Sequence, residues 1–423
     1  GQQWPTSASR QEGAHIGPKA QDAMIQALAA RLAQPGTTTD AVISAMDETN
    51  PSIFATNWNT WSAQSKGLVD QLNVHTYGTD GRQVVRDIAK AADKPLWMSE
   101  VEGNWTDQSR GFVTNDIENG LGMAQHIVGD LRELEPTAWV FWQPVEDLYN
   151  MQKVEKLNWG SVFIDFDCNA EGKSLRRIAD GEADPSCKVL TNEKFNTVRN
   201  FTHYIHPGDR LMATDDTQST AAIDADGQGA TIVHVNSEAT DRTVEIDLRD
   251  FGTIAPGATV TPIVTTQSTA DQPSANALRE GAKVAVNVAS RTATVTVPAK
   301  SVTTFVIDGV SGVSDDAAAF RDGDTVQLTG LQSGLALDGS GAGLALQRSA
   351  TTTDGLPRGY ECGGAGEFGD VGPRTAITVE NEAGTLLGKG AITETTRRRD
   401  GCDLAFELTD VPTGPRLYRV SVR

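Results

Sequence analysis

The chain has 423 residues, with 36 Lys and Arg against 56 Asp and Glu, a formal net charge of −20 and an apolar content of 38%. That length allows roughly two to four domains and a sizeable core. The strong acidity argues against nucleic acid or an anionic membrane as partner, and no apolar run reaches the ~18 residues that would mark a membrane span. The chain opens Gly1-Gln2-Gln3-Trp4 with neither an initiator Met nor a signal peptide, so export is an expectation that rests on other features.

Residues 11–33 carry a helical pattern with Ile25, Leu28 and Leu32 on one face, and 41–46 reads as a short apolar strand ending in Asp47 and Glu48. Residues 53–69 look helical, with Phe54, Trp58 and Trp61 near one face. A strand over 72–77 follows, then a helix over 83–92 with Val84, Ile88 and Ala91 periodic. A Pro-led strand spans 95–102, a helix 123–134, and an apolar strand 138–144. A long connection carrying Trp159, Cys168 and Cys187 leads to a helix over 193–205. Buried strands alternating with helices predict a parallel sheet. After Pro207 the pattern becomes short alternating strands at 231–235, 244–248, 259–264, 284–288, 293–297 and 303–307, which predicts an antiparallel β-sandwich. A Gly/Ser/Asp/Ala linker over 309–322 precedes a small β-rich region with strands at 325–328, 335–337, 344–346 and 417–422.

The four cysteines form two local pairs, Cys168/Cys187 and Cys362/Cys402. Even, local pairing fits two disulfides in an oxidising compartment; four buried thiols are the alternative. Neither pair has the spacing of a zinc site. The glycine-rich stretch 362–370 lacks the Lys-Ser/Thr pair and the helix of a phosphate loop.

The chemistry concentrates where the parallel strands end. Asp47/Glu48, His75/Tyr77, Glu100/Glu102 and Gln143/Glu146 each follow an apolar strand, as expected at the catalytic end of a barrel of alternating strands and helices. In Lys94-Pro-Leu-Trp-Met-Ser-Glu-Val-Glu-Gly-Asn-Trp105, two carboxylates close a strand beside aromatic rings that can stack on sugar faces. Such an arrangement suits a glycosidase nucleophile, although two solvated acids at a strand end is an equal reading of these residues alone. Only four strands are counted and eight close such a barrel, so residues 1–205 read as its second, C-terminal half, followed by a β-sandwich over 206–310 and a small all-β module over 323–423.

Five motifs in order resemble glycoside hydrolase family 30, and within it the actinobacterial endo-β-1,6-galactanases: Arg10-Gln-Glu-Gly-Ala-His15, Ser44-Ala-Met-Asp-Glu-Thr-Asn50, Val74-His-Thr-Tyr77, Leu96-Trp-Met-Ser-Glu100 and Val140-Phe-Trp-Gln-Pro144. The resemblance covers about residues 1–310. It implies an exported, cofactor-free retaining endo-glycosidase acting on β-1,6-galactan, with Glu100 as nucleophile. It further implies Tyr77 and His75 beside that nucleophile, Trp142 as the floor of the sugar site, and Asp47, Glu48 and Asn50 as hydroxyl-binding groups. Glu102, Trp105 and Gln143 join the expected substrate-binding set. The partner is a polysaccharide or oligosaccharide; oligomeric state is not readable.

One departure matters. The family's general acid sits in an Asn-Glu-Pro motif, and that string is absent; Asn192-Glu193-Lys194 and Asn381-Glu382-Ala383 are misplaced for the role. The chain therefore reads as a partial one that lacks its acid/base. The alternatives are a non-catalytic carbohydrate-binding or structural remnant, or a glycosidase of the same family acting on another β-linked glycan. At the C-terminus, residues 326–338 have a faint likeness to one ricin-type carbohydrate-binding repeat.

Overall fold

The computed structural model describes residues 14–313 without interruption and, beyond them, 344–347, 351–353, 355–358, 360–364, 371–381, 386–397, 401–406, 408 and 418–422. Residues 10–13 of the first motif, the strands expected at 325–328 and 335–337, the ricin-like stretch and most of the linker and of the glycine-rich segment lie outside the described residues.

Contacts divide the chain into two compact units, Gly1–Val313 and Ser314–Arg423. The first unit begins with α1 (Pro18–Leu32), β1 (Ser44–Glu48), α2 (Pro51–Thr60), α3 (Ala63–Leu68), β2 (Gln71–His75), α4 (Arg82–Ala91), β3 (Leu96–Val101), α5 (Ile117–Glu133) and β4 (Ala138–Phe141). The four strands pair in sequence order, all parallel. Their helix-facing side chains, Leu72, Val74, Leu96, Met98 and Val101, are buried with Phe54, Trp58, Trp61, Val85 and Ile88. On the opposite side Trp97 and Val140 stay exposed.

Local chemistry sets the element ends. Pro18 opens α1 at a position where the missing N–H costs nothing, later than the pattern from residue 11 implies. Leu28, expected on the buried face, is exposed. The single helix expected over 53–69 is two. Ser62 caps α3 by accepting from Ser65 N, and Asp22 binds both the Ser62 N–H and hydroxyl, so the break at Trp61-Ser62 is stabilised from both sides. Conversely α5 starts six residues before the expected 123 (123 − 117 = 6), because Asp116 caps it by accepting from Glu118 N.

The connection after β4 is structured. It holds β5 (Val145–Asp147), β6 (Val162–Ile164), α6 (Leu175–Ala179) and β7 (Val189–Thr191), with β5, β6 and β7 in one sheet. Phe163, Leu148 and Met151 form a small core there, and the Cys168–Cys187 disulfide closes the segment. Then α7 (Glu193–Thr202) packs on α5 and leads into antiparallel structure: β8 (Arg210–Met212), β9 (Ser219–Ile223), β10 (Gly229–Asn236), β11 (Arg242–Asp247), β12 (Phe251–Thr265), β13 (Arg279–Glu280), β14 (Val284–Ala285), β15 (Thr292–Val297) and β16 (Ser301–Val313). A seven-stranded sheet runs β13-β12-β16-β10-β9-β8 with β14 beside β12, and β11 pairs with β15. Val260, Phe305 and Ile307 of the first sheet share one core with Ile246, Val295 and Val297 of the second. A separate core of Ile117, Leu121, Ile127 and Phe201 with Val233, Val235 and Val302 joins α5 and α7 to the antiparallel sheet.

In the second unit, β17 (Leu344–Gln347), β20 (Ala376–Asn381), β21 (Leu386–Arg397), β22 (Gly401–Phe406) and β23 (Tyr418–Val422) form a sheet in the order β17-β22-β21-β20-β23, and β18 (Thr351–Thr352) pairs with β19 (Gly363–Gly364). Its core surrounds the Cys362–Cys402 disulfide.

The α5–α7 contact is close enough to require glycine. A Cβ at Gly120 would meet the Glu193 carbonyl oxygen and the Thr197 methyl at 2.7 Å, and the Thr197 hydroxyl donates to the Gly120 carbonyl. Gly120→Ala is expected to destabilise the first unit by roughly 1–3 kcal/mol through overpacking, read as a lower urea midpoint; an unchanged midpoint would show that the helices separate without cost.

Candidate active site

Two irregularities in the parallel sheet build the site. Between β1 and β2 the register passes from Met46↔Asn73 to Glu48↔Val74, leaving Asp47 as an extra residue with φ 57°. Between β2 and β3 it passes from Val74↔Met98 to His75↔Glu100, leaving Ser99 extra. A bulge re-aims side chains at the end of a strand. Here the two extra residues meet: the Ser99 hydroxyl donates to Asp47 Oδ1 at 2.7 Å, and Asn73 Nδ2 donates to Asp47 Oδ2 at 3.2 Å.

A line of polar groups crosses the strand ends. His75 Nε2 lies 3.7 Å from Asp47 Oδ1 and His75 Nδ1 lies 3.8 Å from Glu100 Oε1. The Tyr77 hydroxyl donates to Glu100 Oε1 at 2.9 Å. Burial, and then the charge of Glu100 and the hydrogen bond to it, raise the Tyr77 phenol well above its ordinary range. The phenol therefore stays protonated and holds its proton toward the carboxylate. Burial works to raise the Asp47 carboxyl, but His75, Ser99 and Asn73 together outweigh it and hold the group below its usual range. Trp142 is 53% exposed, and its backbone N–H donates to the Val101 carbonyl one residue beyond Glu100. Gln143 donates to Glu146 at 3.2 Å, and burial raises the Glu146 carboxyl.

Other expected substrate-binding residues sit inside the fold. Past the Asp47 bulge, Glu48 turns to the helix side and is 0% exposed, accepting from Gln21 at 2.7 Å and Asn57 at 2.9 Å. Asn50 caps α2 through Ile53 N. Trp105 is half-buried, packing against Gly103 and Gly122 and lining the α5–α7 core. Glu102 is also buried. Strand alternation turns Glu100 and Glu102 to one side, but the chain leaves β3 after Val101, which frees Glu102 to turn inward.

Sequence patterns did not single out the residue that receives Glu102. Lys194 Nζ, 0% exposed, lies 2.7 Å from Glu102 Oε1 and donates to the Gly103 carbonyl at 2.8 Å. The rings of Trp105 and Phe141 face the ammonium at 5.5 and 5.3 Å. Glu102 also accepts from Gly103 N at 2.6 Å and Gly160 N at 2.7 Å. Burial pushes the Glu102 carboxyl up and the Lys194 ammonium down, and each is opposed by the other's charge. A pairing across 92 residues leaves no local signal. Among the described residues, no group of three or more His, Cys, Asp and Glu side chains could hold a metal ion, and no helix is long and apolar enough to cross a membrane.

No protein-family model matches the chain. It is 38% identical over 358 residues to an exo-β-1,6-galactobiohydrolase of Bifidobacterium longum subsp. longum, covering 77% of this chain and 23% of that protein. It is 24% identical over 267 residues to an endo-β-1,6-galactanase of Hypocrea rufa, covering 63% of this chain and 47% of that protein. The chain is a homologue of glycoside hydrolases. The β-1,6-galactan class implied by the motifs agrees with both relatives' names, one exo-acting and one endo-acting. The chain spans about a quarter to a half of the length of these relatives. Among solved structures, a conserved exported protein of Bacteroides fragilis is similar in fold, with a TM-score of 0.50 at 15% identity over 70% of this chain and 61% of that one. A family 30 subfamily 8 xylanase of Clostridium acetobutylicum aligns with a TM-score of 0.47 at 16% identity, over 70% of this chain and 62% of that one.

Removing one member of a buried ion pair strands the other charge. Lys194→Met is therefore expected to cost roughly 3–5 kcal/mol, with part of the loss recovered in the Glu102→Gln/Lys194→Met double variant. Chemical denaturation of the three proteins checks this; equal stability of the wild type and the single variant would mean the pair holds nothing in place.

Proposed function

We propose that this chain forms the nucleophile-bearing part of an exported retaining glycosidase that cleaves β-1,6-galactan. The observation that carries the reading is the Glu100 carboxylate at a parallel strand end, accepting from a phenol kept protonated and flanked by His75. In this mechanism Glu100 attacks the anomeric carbon of the bound sugar while a general acid about 5–5.5 Å away protonates the departing oxygen. The Tyr77 hydrogen bond orients the attacking oxygen and weakens as charge leaves Glu100 for the glycosyl-enzyme bond. Water then attacks the intermediate, with the same acid now acting as base, so the anomeric configuration is retained.

The four parallel strands serve in this reading as the C-terminal half of a (β/α)8 barrel, with a β-sandwich over 206–310 and a small β module over 323–423. Exposure of Trp97 and Val140 on the side away from the helices supports it, since those side chains would fill a barrel interior. The acid/base then belongs to a part of the protein outside this chain, in keeping with its coverage of 23% and 47% of its relatives. Asp47, Asn73 and Trp142 provide the sugar contacts at the strand ends. Two disulfides and a fold shared with an exported protein support an extracellular setting.

Glu100→Gln preserves an acceptor for Tyr77, so the fold is expected to hold while hydrolysis of β-1,6-galactan by the full gene product falls at least about a thousandfold. Full activity in that variant would remove Glu100 from the chemistry. An intact galactan after exposure to the wild type would remove the substrate class.

A further inference from the structure

Trp159 stands out among the residues that the mechanism leaves unused. Its side chain is 44% exposed, whereas Asn158, Gly160 and Ser161 around it are buried. Single exposed aromatics are common and need no explanation; this one is presented by backbone held on both sides. Before it, Asn158 accepts from Val113 N at 2.6 Å and donates to the Gly111 carbonyl at 2.8 Å. After it, Gly160 N donates to Glu102 Oε2 at 2.7 Å and the Gly160 carbonyl accepts from Asn192 at 3.0 Å. Gly160 has φ 78°, and a Cβ there would meet Glu146 Cγ at 2.6 Å, so the turn requires glycine.

The same backbone reaches the site in two directions. Ser161 N and Val162 N both donate to the Pro144 carbonyl, and the Gln143 carbonyl oxygen lies 3.5 Å from the position a Gly160 Cβ would take. Trp142 and Trp159 therefore each precede one side of a single backbone contact, and both are exposed. Through Glu102, Gly160 is also tied to the chain two residues beyond Glu100.

We propose that Trp159 is an aromatic platform for a hexose unit flanking the one at Glu100, so that Trp142 and Trp159 together bind a β-linked galactose chain over more than one residue. The inference rests on the glycosidase reading above and adds a subsite to it. An indole on fixed backbone suits this ligand: it meets the C–H face of a pyranose without first paying for the ordering of a loop. The uncharged sugar also meets no penalty from a chain of net charge −20.

The test is calorimetric titration of the full gene product carrying Glu100→Gln, which keeps the ligand intact, with β-1,6-galactobiose and β-1,6-galactotetraose. Adding Trp159→Ala is expected to weaken tetraose binding roughly tenfold and biose binding less than about twofold, and Trp159→Phe to restore most of the loss. The side chain is exposed, so the melting temperature should not move. Unchanged tetraose affinity in Trp159→Ala overturns the subsite. An equal loss for both sugars puts the indole under the reacting unit and overturns it too. If the Glu100→Gln parent binds neither sugar, the substrate class itself fails and takes this inference with it.

Discussion

The ion pair between Glu102 and Lys194 is the contact on which the site depends. One carboxylate receives Lys194, Gly103 N and Gly160 N, and so joins the end of β3 to the start of α7 and to the turn after Trp159. Both side chains are buried, and a buried pair is not by itself a source of stability. Its value here is geometric. Glu102 stands two residues beyond Glu100, whose carboxylate accepts the Tyr77 proton in a hydrogen bond. Movement of Glu102 would be felt at the carboxylate two residues away.

On the other side of Glu100, the constraint is the pair of bulges. A regular register would send Asp47 and Ser99 to alternate sides of their strands; an extra residue in each turns them to meet across β2. Asp47, held ionised, then stands 3.7 Å from His75, which stands 3.8 Å from Glu100. The polar line is thus anchored by backbone irregularity at one end and by a buried charge at the other. Behind it, Thr76 donates to buried Asp130, which also receives Trp139 Nε1 and lies 2.7 Å from Arg82 Nε.

Most of the regular structure was legible from periodicity. The four parallel strands, six of the antiparallel strands after Pro207 and both disulfides fall where alternation and cysteine spacing put them, whereas β8, β9, β13 and, in the second unit, β20 to β22 were not expected. What escaped depends on contacts distant in sequence. The break between α2 and α3 needs Asp22, some 40 residues upstream of the cap it binds. The strands hidden in the connection after β4 are only three residues each, too short for a period to show. For the site, strand ends named Glu100, Tyr77, His75 and Asp47, which lie together, and the family resemblance named Trp142. The strand ends also named Glu48 and Glu102, which are buried, because composition at a strand end does not say which way a side chain turns. Ser99, Asn73 and Lys194 carried no local signal.

As nucleophile, Glu100 forms a covalent bond with the sugar. Mass spectrometry of the full gene product after incubation with an activated 2-deoxy-2-fluoro-galactoside, which slows breakdown of a glycosyl-enzyme, reads this directly. One added fluorogalactosyl group is expected on the peptide holding Glu100, lost in Glu100→Gln. A label on another carboxylate, Glu146 for instance, or galactan cleavage with inverted anomeric configuration and no label, would contradict it.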